Sequence, residues 1–159
     1  MNVDILGIRE LKWTGMGEFN SDDHYIYYCG QVIKAYSLKK DGDKKLSTNF
    51  RVREFACNDG TDPIFIDSDL VAVLQKIRTH FGKPVTITSA YRTPPHNSRE
   101  GGTTYSQHLY GKAADIKISG VTPKKVADYA ETLLPEGGIG IYNTFTHIDV
   151  RSVKSRWQG

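Results

Sequence analysis

Five histidines are spread along the chain, His24, His80, His96, His108 and His147, and two of them stand near carboxylates at spacings that suit a metal. His108 precedes Asp115 in the stretch Ser106-Gln107-His108-Leu109-Tyr110-Gly111-Lys112-Ala113-Ala114-Asp115, and His147 lies in Thr146-His147-Ile148-Asp149. A catalytic zinc ion takes three N or O ligands from the protein and keeps one position open. Two imidazoles and one carboxylate meet that need and leave the ion positive charge with which to acidify water. Gly111 gives the chain a place to fold back, so that a helix-end histidine and a strand-start aspartate face one ion. Ala113 and Ala114 leave room beside it. Taken as an isolated pair, a capping His108 and a sheet-bonded His147 would explain the same residue types without a metal.

The elements that must position these groups are legible from Arg51 onward. Asp67 or Ser68 caps a helix whose apolar positions Leu70, Val71, Leu74, Ile77 and Phe81 recur at helical spacing, and Gly82 ends it. Residues 84–89 read as a β-branched strand running into Ala90-Tyr91-Arg92. Residues 93–104, rich in Pro, Gly, Asn and charge, read as a loop long enough to help form a site. A short helix follows near Ser106 to Tyr110, then a strand over 113–118. Thr122-Pro123 opens a second helix with Val126, Ala127, Ala130 and Leu133 on its apolar side. Gly137-Gly138 turn the chain into two strands, 139–142 and 146–150, joined around Asn143-Thr144. The pattern is α+β: a small, mostly antiparallel sheet with helices packed on it.

Ser89-Ala90-Tyr91-Arg92-Thr93, Asn97, Gly101-Gly102, Ser106-Gln107-His108 through Asp115, Gly140-Ile141-Tyr142 and Phe145-Thr146-His147-Ile148-Asp149-Val150-Arg151 occur in an order that resembles the M15 peptidases. These are D-alanyl-D-alanine carboxypeptidase and endolysin-like enzymes with a hedgehog-related fold. The resemblance runs over about two-thirds of the chain, from Phe50 to Trp157. It implies one zinc ion, held by His108, Asp115 and His147, and a peptidoglycan stem peptide as substrate. It also implies that Arg92 faces the scissile carbonyl or a substrate carboxylate, a task suited to a guanidinium fork. Ser106 matches a recurring position and is expected to support a ligand or the substrate, with Asn97 and Tyr142 beside it. Many relatives carry an acid three residues before the last histidine; here that position is Thr144. Asp149 is then the expected proton acceptor, or the carboxylate that orients His147, with Glu100 a more distant candidate. Tyr91 and Tyr142 each offer a hydroxyl that could donate to the substrate, although packing suits each better. His96 reads as a solvated loop histidine. The alternative is a zinc module of the hedgehog type that binds without cleaving.

The bulk properties agree with a single domain of a globular protein: 159 residues, 38% apolar, 25% charged, formal net charge +3. No apolar run approaches the ~20 residues of a membrane span, and no secretory leader is visible, which suits a lysin released without one, a cytoplasmic protein or a chain whose true N-terminus has been replaced. A monomer is expected, with no nucleic-acid or membrane partner. Cys29 and Cys57 read as ordinary thiols, and Lys39 to Lys45 as a solvated turn. Residues 1–31 instead resemble a fragment of a non-long-terminal-repeat retrotransposon endonuclease, with Glu10 at a metal-binding position. A closed nuclease core needs a chain far longer than this, roughly 200 residues, so no nuclease activity is expected. The division expected is therefore a head, 1–33, poorly ordered or laying at most one strand on the body, and a peptidase unit, 34–159.

Overall fold

The computed structural model describes residues 25–28 and 31–159. The expectations for Glu10 and His24, for Cys29, and for the order of most of the head lie outside the described residues. Among the described residues, eight strands, four α-helices and two 3-10 turns follow in chain order, the strands forming two sheets. The first sheet holds β1 (Tyr25–Tyr28), β2 (Gln31–Tyr36) and β3 (Ile64–Asp67), antiparallel in that order. Between β2 and β3 lie α1 (Leu38–Asp41), which begins the exposed Lys-rich stretch, and a 3-10 turn over Val52–Phe55. The sequence pattern had revealed neither β3 nor this sheet.

The second sheet holds β4 (Val85–Ser89), β5 (Ala113–Ile118), β6 (Gly138–Ile141), β7 (Thr146–Asp149) and β8 (Ser155–Gln158), in the order β4-β5-β7-β6-β8. All its pairs are antiparallel except β6 with β8. One face carries Ile116, Ile118, Ile139 and Ile148, all buried, and packs against α2 (Ser68–Phe81) and α4 (Pro123–Leu133). Burying each such side chain contributes about 1.5–3 kcal/mol, so this face anchors the sheet. Asp67 caps α2, and Gly82 closes it at φ +60°; Thr122 caps α4 with Pro123 in its first turn. Among the described residues no helix is long and apolar enough to cross a membrane.

Two expectations change. The stretch 93–104 is not all loop, because α3 (Pro94–Arg99) occupies its first half. Thr93 accepts the His96 amide as an N-cap, and two prolines fit the first turn, where their missing N–H groups break no helix bond. His96, on that helix, is accordingly not a solvated loop residue; its side chain is 12% exposed.

Candidate metal centre

The face of the second sheet opposite α2 and α4 owes its chemistry to register. Ser89 pairs with Asp115, Asp115 with His147, His147 with Gly140, and Gly140 with Trp157, one row across all five strands. Side chains in such a row share a face and stand within reach of one another. A bulge between Ile87 and Ser89 brings Ser89 into this row; in unbroken alternation Thr88 would stand there. The next row on the same face is Ala113, Asp149, Gly138 and Ser155. Its small members make room: a Cβ on Gly138 would lie 2.0 Å from an Asp149 oxygen, and one on Gly140 2.5 Å from the Trp157 ring.

His108 reaches the row from outside the sheet. It sits in a 3-10 turn, Gln107–Tyr110, that ends at Gly111 in the left-handed conformation, φ +67°. A side chain at Gly111 would meet the Phe65 carbonyl oxygen at 2.1 Å, so both the backbone angle and the packing demand glycine. The fold-back expected at Gly111 is therefore present. The His108 Nδ1–H donates to the Ala90 carbonyl at 2.6 Å, and the Arg92 amide donates to the His108 carbonyl at 3.1 Å. With Nδ1 so engaged, Nε2 points its lone pair into the cluster.

Three atoms meet there. His108 Nε2 lies 3.2 Å from His147 Nδ1 and 3.3 Å from Asp115 Oδ1, and the last two are 2.9 Å apart. Ligands about 2.0–2.1 Å from a tetrahedral zinc ion stand roughly 3.3 Å from each other, close to this triangle. All three residues are buried, and the donor set, two imidazoles and a carboxylate, is the chemistry zinc prefers. The residues fit the ion.

Each donor is held from behind. Asp115 turns Oδ1 to the histidines, while Oδ2 accepts from Arg92 Nη2 at 2.6 Å; Arg92 Nε donates to Ser89 Oγ at 2.7 Å. His147 Nε2 meets Asp149 Oδ2 at 3.0 Å. Asp149 is fully buried and also accepts from Arg151: Nε and the backbone N–H at Oδ1, Nη2 at Oδ2. Burial works to raise the Asp115 and Asp149 carboxyls, but hydrogen bonds from the histidines, joined at Asp149 by Arg151, outweigh it and hold both well below the usual range. Burial also lowers the His108 imidazole and prevails there. At His147 the two flanking carboxylates overcome burial and raise it. Each carboxylate thus has its own arginine, so an added cation would keep its charge for the substrate.

The remaining expected residues are less central. Ser106 precedes the His108 turn and makes no side-chain capping bond. Asn97 is buried and braces its own loop, donating to the Thr103 carbonyl at 3.0 Å with Oδ1 against Gly102. Tyr142 stacks on Phe145 at 4.3 Å and accepts from Trp157 Nε1 at 3.0 Å. Tyr91 is a core residue edge-on to Phe65, and burial pushes its hydroxyl up to about 12. Thr144 is exposed in the turn between β6 and β7, and Glu100 ends α3 with its carboxylate 4.0 Å from the His96 ring. Three residues at the site had no role assigned from sequence: Ser89, Arg151, and Trp157, whose ring lies 5.0 Å from that of His147. Arg151 carried a signal, being two residues past Asp149 on the same alternation.

Comparison with known proteins bears on this geometry. The model of the family described as Peptidase M15 matches residues 46–149. The chain is 33% identical over 104 residues to the probable peptidoglycan L,D-endopeptidase MepK of Haemophilus influenzae, covering 59% of this chain and 55% of that protein. It is also 44% identical over 117 residues to Craniofacial development protein 2 of Bos taurus and of Tragulus javanicus, 69% of this chain but 17% of each of those proteins. The chain thus spans about a sixth of those two relatives and about half of MepK.

Proposed function

The chain belongs to the M15 peptidase family, and from that premise we propose that it is a zinc peptidase cutting peptide bonds in peptidoglycan, with residues 34–159 as the peptidase unit. The observation that carries the proposal is the buried triangle of His108 Nε2, Asp115 Oδ1 and His147 Nδ1. The name of the Haemophilus relative supports peptidoglycan as the substrate and favours an endopeptidase over a carboxypeptidase.

When bound, zinc supplies Lewis-acid chemistry, polarising a carbonyl and acidifying water. The chain's own residues do the rest. His108, fixed by the Ala90 carbonyl, and His147, fixed by Asp149, would coordinate without rotating, His147 releasing its Nδ1 proton as the metal binds. Arg92 holds the second oxygen of Asp115, so that this residue would offer the ion a single atom. The bond of its guanidinium to Asp115 supports the further reading that Arg92 meets a substrate carbonyl or carboxylate beside the metal. Of the two roles expected for Asp149, its burial and its full set of donors favour orienting His147 over accepting a proton.

That same engagement of Asp115 and Asp149, together with threonine at position 144, favours a second reading, a zinc module that binds wall peptides without cleaving them. One experiment separates them: zinc content and peptide release from purified peptidoglycan, for the wild type, His147→Ala and Arg92→Ala. One centre-bound zinc with fragments released supports the enzyme. Zinc without hydrolysis across a panel of walls supports the binding module, and a wild type whose zinc content is unchanged by His147→Ala defeats both.

A further inference from the structure

Among the described residues a second set of metal-ligating side chains lies outside the centre above: Cys57, Asp59 and His96, whose donor atoms all lie within 4.8 Å of one another. They come from two segments that meet only in the folded chain, the turn after the 3-10 segment Val52–Phe55 and the helix α3. We propose that Cys57, Asp59 and His96 form a second metal site, for zinc or a similar thiolate-seeking divalent cation, that staples α3 to the Cys57 turn.

The chemistry of the set supports this. Thiolate and imidazole together favour zinc over magnesium or calcium, and a carboxylate completes a mixed S, N, O set. The group is also pre-positioned. Asp59 Oδ2 accepts from the Thr93 hydroxyl at 2.5 Å and Oδ1 accepts the Thr61 amide at 2.9 Å, so the carboxylate is held from both sides. His96 lies one turn into α3, its amide bonded to the same Thr93 hydroxyl at 3.3 Å. Cys57 is 3% exposed and unbridged. Glu100, one turn further along and half-exposed, has its carboxylate 4.0 Å from the His96 ring and is within reach as a fourth ligand. Binding would release the thiol proton to solvent, with no redox change.

The consequence is mechanical. Tyr91 bonds the Phe55 carbonyl through its amide, Arg92 follows it, and Thr93 then opens α3, so a metal here would fix both ends of the segment that carries Arg92. The inference does not rest on the peptidase reading, because the two sites share no ligand.

The test uses cobalt(II) as probe on the full chain, stripped of metal. A thiolate ligand gives an intense ultraviolet sulfur-to-cobalt charge-transfer band, which the N, N, O centre cannot give. The expected result is two equivalents of cobalt bound, with that band present in the wild type and in His147→Ala, and absent in Cys57→Ser. His96→Ala, a change at a partly exposed helix residue, should weaken cobalt binding at this site at least tenfold and leave the His147 centre loaded. Since Cys57 is buried, His96→Ala keeps the test decisive if Cys57→Ser folds poorly. Absence of the band at saturating cobalt, its survival in Cys57→Ser through Cys29, or unchanged affinity in His96→Ala would overturn the proposal. Loss of metal from the His147 centre alone would instead bear on the peptidase reading.

Discussion

The two oxygens of Asp115 face different partners, one the histidines and the other Arg92, and that division makes the carboxylate a one-atom donor. Asp149 stands in the same relation to His147 as Arg92 does to Asp115: it touches a donor and sets its direction. Asp149→Asn keeps the shape but loses the charge that holds the His147 Nε2 proton. We expect zinc affinity at the centre to fall about 10–100-fold, read by competition with a chromophoric chelator. A fall smaller than twofold would mean that packing alone orients the ring. Gly111→Ala adds a methyl group against the Phe65 carbonyl at a positive φ. The expected loss is about 2 kcal/mol or more in urea unfolding, with zinc binding weakened because His108 shifts with its turn. The three residues of the triangle were open to sequence reading because metal-ligating types are few and their motif context is specific. The surroundings of Asp149 were not, since a His-x-Asp pair on one strand face suits either an acid–base role or an orienting one, and its burial and its bonds to Arg151 exist only in the fold.

At the scale of elements, the junction of β3 with α2 holds a carboxylate under tension. Asp67 caps α2 through Oδ1, yet its Oδ2 is buried with no hydrogen-bond partner, and burial raises its pKa above the ordinary 3.8 despite help from the Asp69 amide and Lys112. Below pH 3.8 the folded and unfolded chains both hold the proton. As pH rises through the interval up to the raised folded value, the unfolded chain releases it first, and stability falls. Asp67→Asn keeps a competent cap and should remove that fall, so its stability relative to the wild type should rise between pH 4 and 7 in urea titrations. Equal slopes would show that Asp67 keeps its charge in the fold. The edge strand β8 offers a second test. Gly140→Ala would press a methyl group into the Trp157 ring and push it off His147. In a Trp13→Phe background, which leaves Trp157 as the sole tryptophan, emission should shift to the red and stability drop by about 1–3 kcal/mol. The helices α2 and α4 were legible because cap and period agree, joined at α2 by the Gly82 stop. The strand β8 was not, because Ser-Arg-Trp-Gln has no apolar alternation and owes its form to β6.

For the whole molecule, the division of the sheet into two faces governs how metal and fold depend on each other. The helical face holds the core, so the chain should stay folded without zinc, while the ligand face brings together three donors from two strands and a turn. Zinc at about 100 times its dissociation constant should then add roughly 2.7 kcal/mol, or about 5–10 °C in melting temperature, all of it removed by a chelator. Complete unfolding of the chelated protein at 25 °C would show instead that the metal is part of the core.

The sequence by itself determined the kinds of groups that matter, the two principal helices and the α+β class, because those depend on residue type and on periods of a few residues. Only the tertiary structure decided which of these groups meet. The row from Ser89 to Trp157 depends on strand order, on a one-residue bulge and on register, and a shift of one residue in β5 or β7 would turn Asp115 or His147 to the opposite face, away from His108. Such choices are set by the packing of all the strands together, which no local stretch of sequence contains.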